Sequence, residues 1–369
     1  MRSYENAALK GQRLMDYANK LSGCDIRLVF VPSILEVHCN RRALQSFYNF
    51  KYGRPPTWPN SLVTQSSIVQ ADFCIVREIM GRRDRPKATQ DHLSFLEAGV
   101  VYFQRPLLGG LCAELLLDYR EVLHPRLIAN EVYDIWSNLR VAKSYFPPEM
   151  VLSDILVVTL LKTGFVSLHC AALKKGHLGI LIWARANTGK TTTAWRLVSE
   201  IGCQFLGDDI VISDGNKVYA CPYTATGVPP AIRQLDEPFS ERLKSLFFLN
   251  AGVRERLVDH LDTTSLATHM TPTHFFLLTR GDDRATTPIA KKDARDLLLR
   301  LNRLEFRYHF SNSILLNLWN NTGWPDIQWC ANQEALLIEK LVDRAESIFQ
   351  VIAPDPYDFA TQIRQLMGV

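Results

Sequence analysis

The stretch FVSLHCAALKKGHLGILIWARANTGKTTTAWRLVSEIGCQFLGDDIVI, Phe165 to Ile212, decides how the chain is built. It opens on a mostly apolar strand, FVSLHCAAL, turns at KKG, and continues as a second apolar strand, HLGILIWA. A polar loop then runs into a helix, ARANTGKTTTAWRLVSEIG. The strand pair QFLGDDIVI and KVYAC follows, joined through Ser213-Asp214-Gly215-Asn216, whose Asp-Gly is a strong turn signal. Strands alternating with a helix predict an α/β core.

The sharpest chemical feature is NTGKTTT, Asn187 to Thr193, between an apolar strand and a helix. Binding a phosphate requires that order of elements. Backbone N–H groups of a tight loop point inward and the helix N-terminus adds partial positive charge. A Lys neutralises the phosphates, and the hydroxyl after it suits Mg²⁺. Here Asn187, Thr188 and Gly189 supply the loop, Lys190 the ammonium and Thr191 the hydroxyl, with Thr192 next to the phosphates. Gly-Lys-[Ser/Thr] alone should recur by chance in roughly one chain in five of this length, so the flanking strand and helix carry the reading. The longer fingerprint Gly-x-x-x-x-Gly-Lys-[Ser/Thr] is not met, because Ala184 stands at its first Gly. If that position required a left-handed backbone, Ala would cost about 1 kcal/mol there.

Further along, Asp208 and Asp209 are set among apolar strand residues. Adjacent acids in such surroundings require a cationic partner unless both lie in a solvated turn. A magnesium nucleotide beside the loop would supply one. His169 sits in SLHCAAL, a strand expected beside the one leading to the loop, where a histidine is either a packed core residue or part of the site.

Outward from this segment, PPEMVLSDILVVTLLKTG predicts a helix with Pro147-Pro148 at its start and Gly164 as its stop. The domain boundary is placed just before it, giving domains 1–148 and 149–369. Residues 1 to 22 read as a leading helix, and IRLVFVPSILEVHC as two strands around Pro32 and Ser33. FCIVREIM and GVVYFQRP add strand-like runs, and YGRPPTWPNS is a Pro-rich loop, so the first domain reads as β-rich. Beyond residue 231 one strand stands out, THFFLLT, with helices over KKDARDLLLRLNRL and NQEALLIEKLVDRAESIFQVI.

The length of 369 residues suggests two domains and a core large enough to need no disulfide or metal staple. Apolar residues at 47% and charged residues at 22% exclude disordered, collagenous and coiled-coil chains. Lys and Arg number 42 against 38 Asp and Glu, and a net charge of +4 carries no nucleic-acid signature. GRRDRPK, Gly81 to Lys87, is a local basic run, either solvated loop or phosphate patch. The cysteines, at 24, 39, 74, 112, 170, 203, 221 and 330, never form a CxxC pair, which predicts reduced core thiols in a cytoplasmic protein. Met1 to Leu21 does not read as a signal peptide. The longest apolar stretch, Met150 to Leu161, carries Asp154 and is too short to cross a bilayer.

The ordered set of SLHCAAL, GILIWA, NTGKTTTAWRLV and FLGDDIVI resembles the HPr kinase/phosphorylase-like branch of the P-loop kinases, over about residues 150 to 233. The resemblance is closer to the small kinase homologues of peptide-modifying and metabolite pathways than to the HPr-directed enzyme. It implies a twisted sheet around the loop, similar to phosphoenolpyruvate carboxykinase, with a β-rich α+β N-terminal domain and a helical C-terminal part. It further implies that Lys190 holds the phosphates of ATP and that Thr191 and Asp209 serve Mg²⁺. Asp208 would be the base toward the acceptor hydroxyl, and His169 would lie near the acceptor or γ-phosphate. Arg233, in VPPAIRQL, matches a basic residue that faces the phosphates. The expected activity is ATP-dependent phosphorylation of a hydroxyl, on a small metabolite or a peptide Ser, with a nucleotide-binding regulatory or scaffold module as the alternative. The expected partners are a nucleotide and that acceptor, with no membrane. HPr kinases are hexamers, and a homo-oligomer stays open here.

Overall fold

Ile26–Val31 (β1) and Leu35–Cys39 (β2) are the two strands the sequence predicts around Pro32 and Ser33; they pair as an antiparallel hairpin, and Ser33 takes the left-handed turn between them at φ 62°. The computed structural model describes residues 23–49, 58, 63, 66–81, 85–86, 92–139, 146–222, 260–305 and 313–368. The leading helix of 1 to 22, most of the Pro-rich loop, part of the basic run and Arg233 lie outside these residues. Among the described residues, those up to Thr159 form one compact unit and those from Leu160 a second. The division falls inside a helix, Pro148–Lys162.

In the first unit the hairpin joins Val69–Val76 (β3), Leu93–Glu97 (β4), Val100–Pro106 (β5), Cys112–Asp118 (β6) and Arg126–Asn130 (β7). Their order is β1-β2-β3-β7-β6-β5-β4, with β3 parallel to both β2 and β7 and the other pairs antiparallel. Helices Arg41–Asn49 (α1) and Glu131–Asn138 (α2) follow β2 and β7. The helix across the division is α3, and Gly164, at φ 83°, follows it.

The second unit contains two sheets. Val166–Leu168 (β8) belongs to one, and Ala171–Lys175 (β9) and Leu178–Ala184 (β10) to the other. Lys190–Ile201 (α4) comes next, then Gln204–Gly207 (β11), Val211–Ser213 (β12) and Val218–Tyr219 (β13). His269–Met270 (β14), His274–Arg280 (β15) and Ala285–Pro288 (β16) precede helices Lys291–Glu305 (α5), Ser313–Thr322 (α6) and Ile327–Arg344 (α7). Ser347–Ala353 (β17) and Pro356–Met367 (α8) complete the unit. The larger sheet runs β11-β9-β10-β15-β17-β16 and the smaller β14-β13-β12-β8, so the described chain is mixed α/β with three sheets.

Strand β10 pairs in parallel with β15, and β15 with β17, which makes this sheet the mostly buried support of the loop after β10. Leu197 and Val198 of α4 and Phe359, Ala360 and Ile363 of α8 share one core with Ile180, Ile182, Phe205, Phe276 and Val351. Full burial of each large apolar side chain stabilises by about 1.5–3 kcal/mol.

Five expectations need correction. FVSLHCAAL is not one strand, because His169 and Cys170 separate β8 from β9. QFLGDDIVI is likewise interrupted at Asp208–Ile210, between β11 and β12; Asp209, at φ 108°, cannot continue an extended path. The last predicted helix ends at Arg344, and SIFQVIA is β17. Tertiary pairing overrides helical periodicity there, since β15 lies on one side and β16 on the other. With β15, β16 and β17 in the sheet of β10, the C-terminal part is not simply helical. Finally, Cys24 and Cys74 are joined as a disulfide, whereas Cys39, Cys112, Cys170, Cys203, Cys221 and Cys330 are free and buried. The fold brings together two cysteines 50 positions apart, which spacing alone does not reveal.

No helix among the described residues is long and apolar enough to cross a membrane.

Candidate active site

Residues 185–189 connect β10 to α4. Thr188 N–H donates to the Arg185 carbonyl at 3.2 Å, and positive φ angles at Asn187 (63°) and Gly189 (124°) let so short a loop reverse. Asn tolerates the left-handed region and Gly is unrestricted there. A Cβ on Gly189 would lie 2.7 Å from the Pro356 Cβ, so glycine is required by packing as well as by φ. Ala184 is a strand residue paired with Leu278 and lacks a positive φ, so Ala meets no left-handed cost there. The Arg280 guanidinium braces the loop, donating from Nε to the Thr188 carbonyl at 2.9 Å and from Nη1 to the Pro354 carbonyl at 2.5 Å. The first α4 bond runs from Thr193 N–H to the Gly189 carbonyl at 2.9 Å. The N–H groups of Lys190, Thr191 and Thr192 therefore precede it, where the helix concentrates partial positive charge.

At both interruptions the chain passes from one sheet of the unit to the other: at His169–Cys170 from β8 to β9, and at Asp208–Ile210 from β11 to β12. Because β11 pairs with β9 and β12 with β8, the two crossings lie side by side. Lys190, the first residue of α4, reaches this crease. Its Nζ is 3.0 Å from Asp209 Oδ1, 3.0 Å from His169 Nε2 and 3.5 Å from Asp208 Oδ1. The Thr191 hydroxyl donates to Asp208 Oδ2. His169, Lys190, Thr191, Asp208 and Asp209 thus form one cluster; Asn187, Thr188, Gly189 and Thr192 belong to the loop and first helical turn beside it.

Lys190 and Asp208 are buried, whereas the Asp209 side chain keeps 26% of its exposure. Burial pushes the Asp208 carboxyl above the usual aspartate range, and the Lys190 charge and Thr191 bond only partly reverse this. Burial acts against the Lys190 ammonium, but the two carboxylates outweigh it and hold its pKa above the ordinary lysine value. A lysine ammonium has only donors, so His169 Nε2 accepts, which places the ring proton on Nδ1 and leaves the imidazole neutral.

Three residues that sequence reasoning did not single out hold the crease. The buried Asn302 side chain accepts from His169 N–H at 2.8 Å and donates to the Ser167 carbonyl at 3.1 Å and to Glu334 at 2.8 Å. Glu334, itself buried, also accepts from Arg303 Nε at 2.8 Å. A signal was available. Asn302 lies on the same stripe of α5 as the buried Ala294 and Leu298, and Glu334 on that of Cys330, Leu337 and Ile338 in α7, and polar residues on apolar stripes need partners.

No protein-family model matches the chain, and no curated protein matches it. The solved structure of the Hpr(Ser) kinase/phosphatase from Coxiella burnetii is similar to it. That similarity covers 55% of this chain and 93% of the other, at 14% identity and a TM-score of 0.24.

The cluster has defined chemical capacities of its own. Three backbone N–H groups and an ammonium can meet an oxyanion, a hydroxyl with a carboxylate can meet a hard cation, and a partly exposed carboxylate can take a proton.

Proposed function

We propose that this protein is an ATP-dependent, Mg²⁺-requiring kinase that phosphorylates a hydroxyl of a small metabolite or a peptide Ser. The observation carrying the reading is the gathering of Lys190, Thr191, Asp208, Asp209 and His169 at the N-terminus of α4. The resemblance of the motif order to the HPr kinase/phosphorylase-like family supports it.

The donor set suits the metal. Asp208 Oδ1 is buried, has no hydrogen-bond partner among the described residues and lies 3.5 Å from the Lys190 ammonium; with Oδ2 and the Thr191 hydroxyl it offers oxygen ligands. Among the described residues no group of three or more His, Cys, Asp and Glu side chains could hold a metal ion alone. Magnesium at phosphate sites takes only one or two protein carboxylates, with phosphate and water oxygens completing the shell. Thr191 and Asp208 would hold Mg²⁺, which neutralises phosphate charge when bound. Lys190 adds a second positive charge, and the loop N–H groups orient the terminal phosphate.

In this reading the two acids take each other's expected roles. Asp208 is fully buried against Thr191 and Lys190, so it belongs with the metal. Asp209 is the carboxylate an acceptor can reach, and it takes the hydroxyl proton as the new O–P bond forms and the β–γ bridging P–O bond breaks. Neutral His169 positions the Lys190 ammonium. Arg233 remains the proposed additional phosphate contact.

Incubation with ATP, Mg²⁺ and a panel of hydroxyl compounds should yield acceptor-dependent ADP. Asp209→Asn should lower that rate by about 10²- to 10⁴-fold. A nucleotide-dependent rise in melting temperature without any acceptor-dependent ADP would instead favour the binding module, and ADP release independent of acceptor a hydrolase.

A further inference from the structure

Beside the loop, the chain presents an aromatic ring that the phosphate chemistry does not use. Pro356 packs on Gly189, and the next residue, Tyr357, is 44% exposed although large and mostly apolar. The ring is held from one side and its backbone from several. The Arg196 guanidinium lies over it, 5.5 Å from the centroid, and also donates to the Tyr357 carbonyl. Arg196 is anchored in turn by Glu200. Tyr357 N–H donates to Asp355 at 2.8 Å, and the Pro354 carbonyl accepts from the same Arg280 that braces Thr188. An exposed ring on so well tethered a backbone is already ordered before it meets a ligand, and stacking on it costs little conformational entropy.

We infer that Tyr357 is the platform on which the nucleobase of the phosphate donor stacks, with Arg196 holding the ring from one side. The inference rests on the proposed donor site and adds how that site reads the rest of the nucleotide. Every base has a π-face, so stacking is tolerant of base identity. The donor site therefore selects a nucleoside triphosphate over bare triphosphate and discriminates weakly among bases.

Calorimetric titration of the full chain with Mg²⁺–ATP, Mg²⁺–GTP and Mg²⁺–tripolyphosphate tests this. In the wild type, ATP and GTP should bind within about threefold of each other, and both more tightly than tripolyphosphate. Tyr357→Ala should weaken ATP by about tenfold and leave tripolyphosphate unchanged, while Tyr357→Trp keeps or tightens ATP binding. A merely structural role for Tyr357 would weaken both ligands together in the Ala variant and would not be rescued by Trp. ATP binding that is unchanged in Tyr357→Ala would overturn the platform while leaving the donor site standing. Failure of the wild type to bind either ATP or tripolyphosphate would overturn the donor site and the platform with it.

Discussion

Asp209 N–H donates to the Cys170 carbonyl at 3.4 Å, linking the two crossings between the sheets of the second unit. His169 and Asp208 adjoin this bond, one on each crossing, so a long but local contact sets the frame into which Lys190 extends. Geometry at this crease depends on buried polar groups and the partners that hold them.

Asn302 makes that dependence measurable. Asn302→Ala would leave His169 N–H, the Ser167 carbonyl and one Glu334 oxygen without their partner. Each unsatisfied buried group costs about 1–3 kcal/mol, so urea unfolding should show a loss of about 2 kcal/mol or more. A loss near zero would mean that Asn302 does not hold the crease.

Gly189→Ala tests the loop from the other side. The variant combines a φ of 124° with a Cβ 2.7 Å from the Pro356 Cβ. Strain of about 1–3 kcal/mol is expected in the melting transition, together with lost tripolyphosphate affinity. Asn187→Gly, at φ 63°, should be tolerated in both measurements.

Glu149 gives the first unit a pH dependence. Both carboxylate oxygens are buried with no hydrogen-bond partner among the described residues, and burial, followed by the nearby Asp134, pushes the pKa from 4.5 up to about 8. The native state then keeps a proton that the unfolded chain releases. The resulting stabilisation is full below pH 4.5, declines as pH rises and is gone above about 8. The slope should approach about 1.4 kcal/mol per pH unit within that window, and Glu149→Gln should remove it. Denaturant midpoints for both proteins between pH 5 and 9 check the sign; a wild type that gains stability relative to the variant over this range would contradict it.

The cysteine arrangement is open to direct counting. With Cys24 and Cys74 joined and six cysteines free, thiol titration of the unreduced, denatured chain should find six reactive groups, rising to eight after reduction. Eight before reduction would show that the pair is not linked.

Local patterns proved legible where local forces decide. Apolar runs around Pro32 and Ser33 predicted two strands, which the fold pairs as β1 and β2, and the Asp-Gly turn after Ser213 joins the antiparallel strands β12 and β13. NTGKTTT located the loop and the first turn of α4, because φ preferences and helix initiation act within a few residues. The same reasoning failed at SIFQVIA. Its apolar residues follow a helical face closely enough to prolong α7, and only β15 and β16 on either side make a strand the better use of its backbone hydrogen bonds.

By itself, then, the sequence determined which residues carry charge, hydroxyl and loop-forming capacity, and roughly which were to be strand or helix. The tertiary structure alone decided that His169 and the two acids meet at a crossing between sheets, that Asp208 and not Asp209 sits on Thr191, and that Pro356, the residue before Tyr357, packs on Gly189. Strand pairing and core packing join residues up to more than a hundred positions apart, as Asn302 and His169 show, and no local periodicity records which distant partner satisfies a buried polar group.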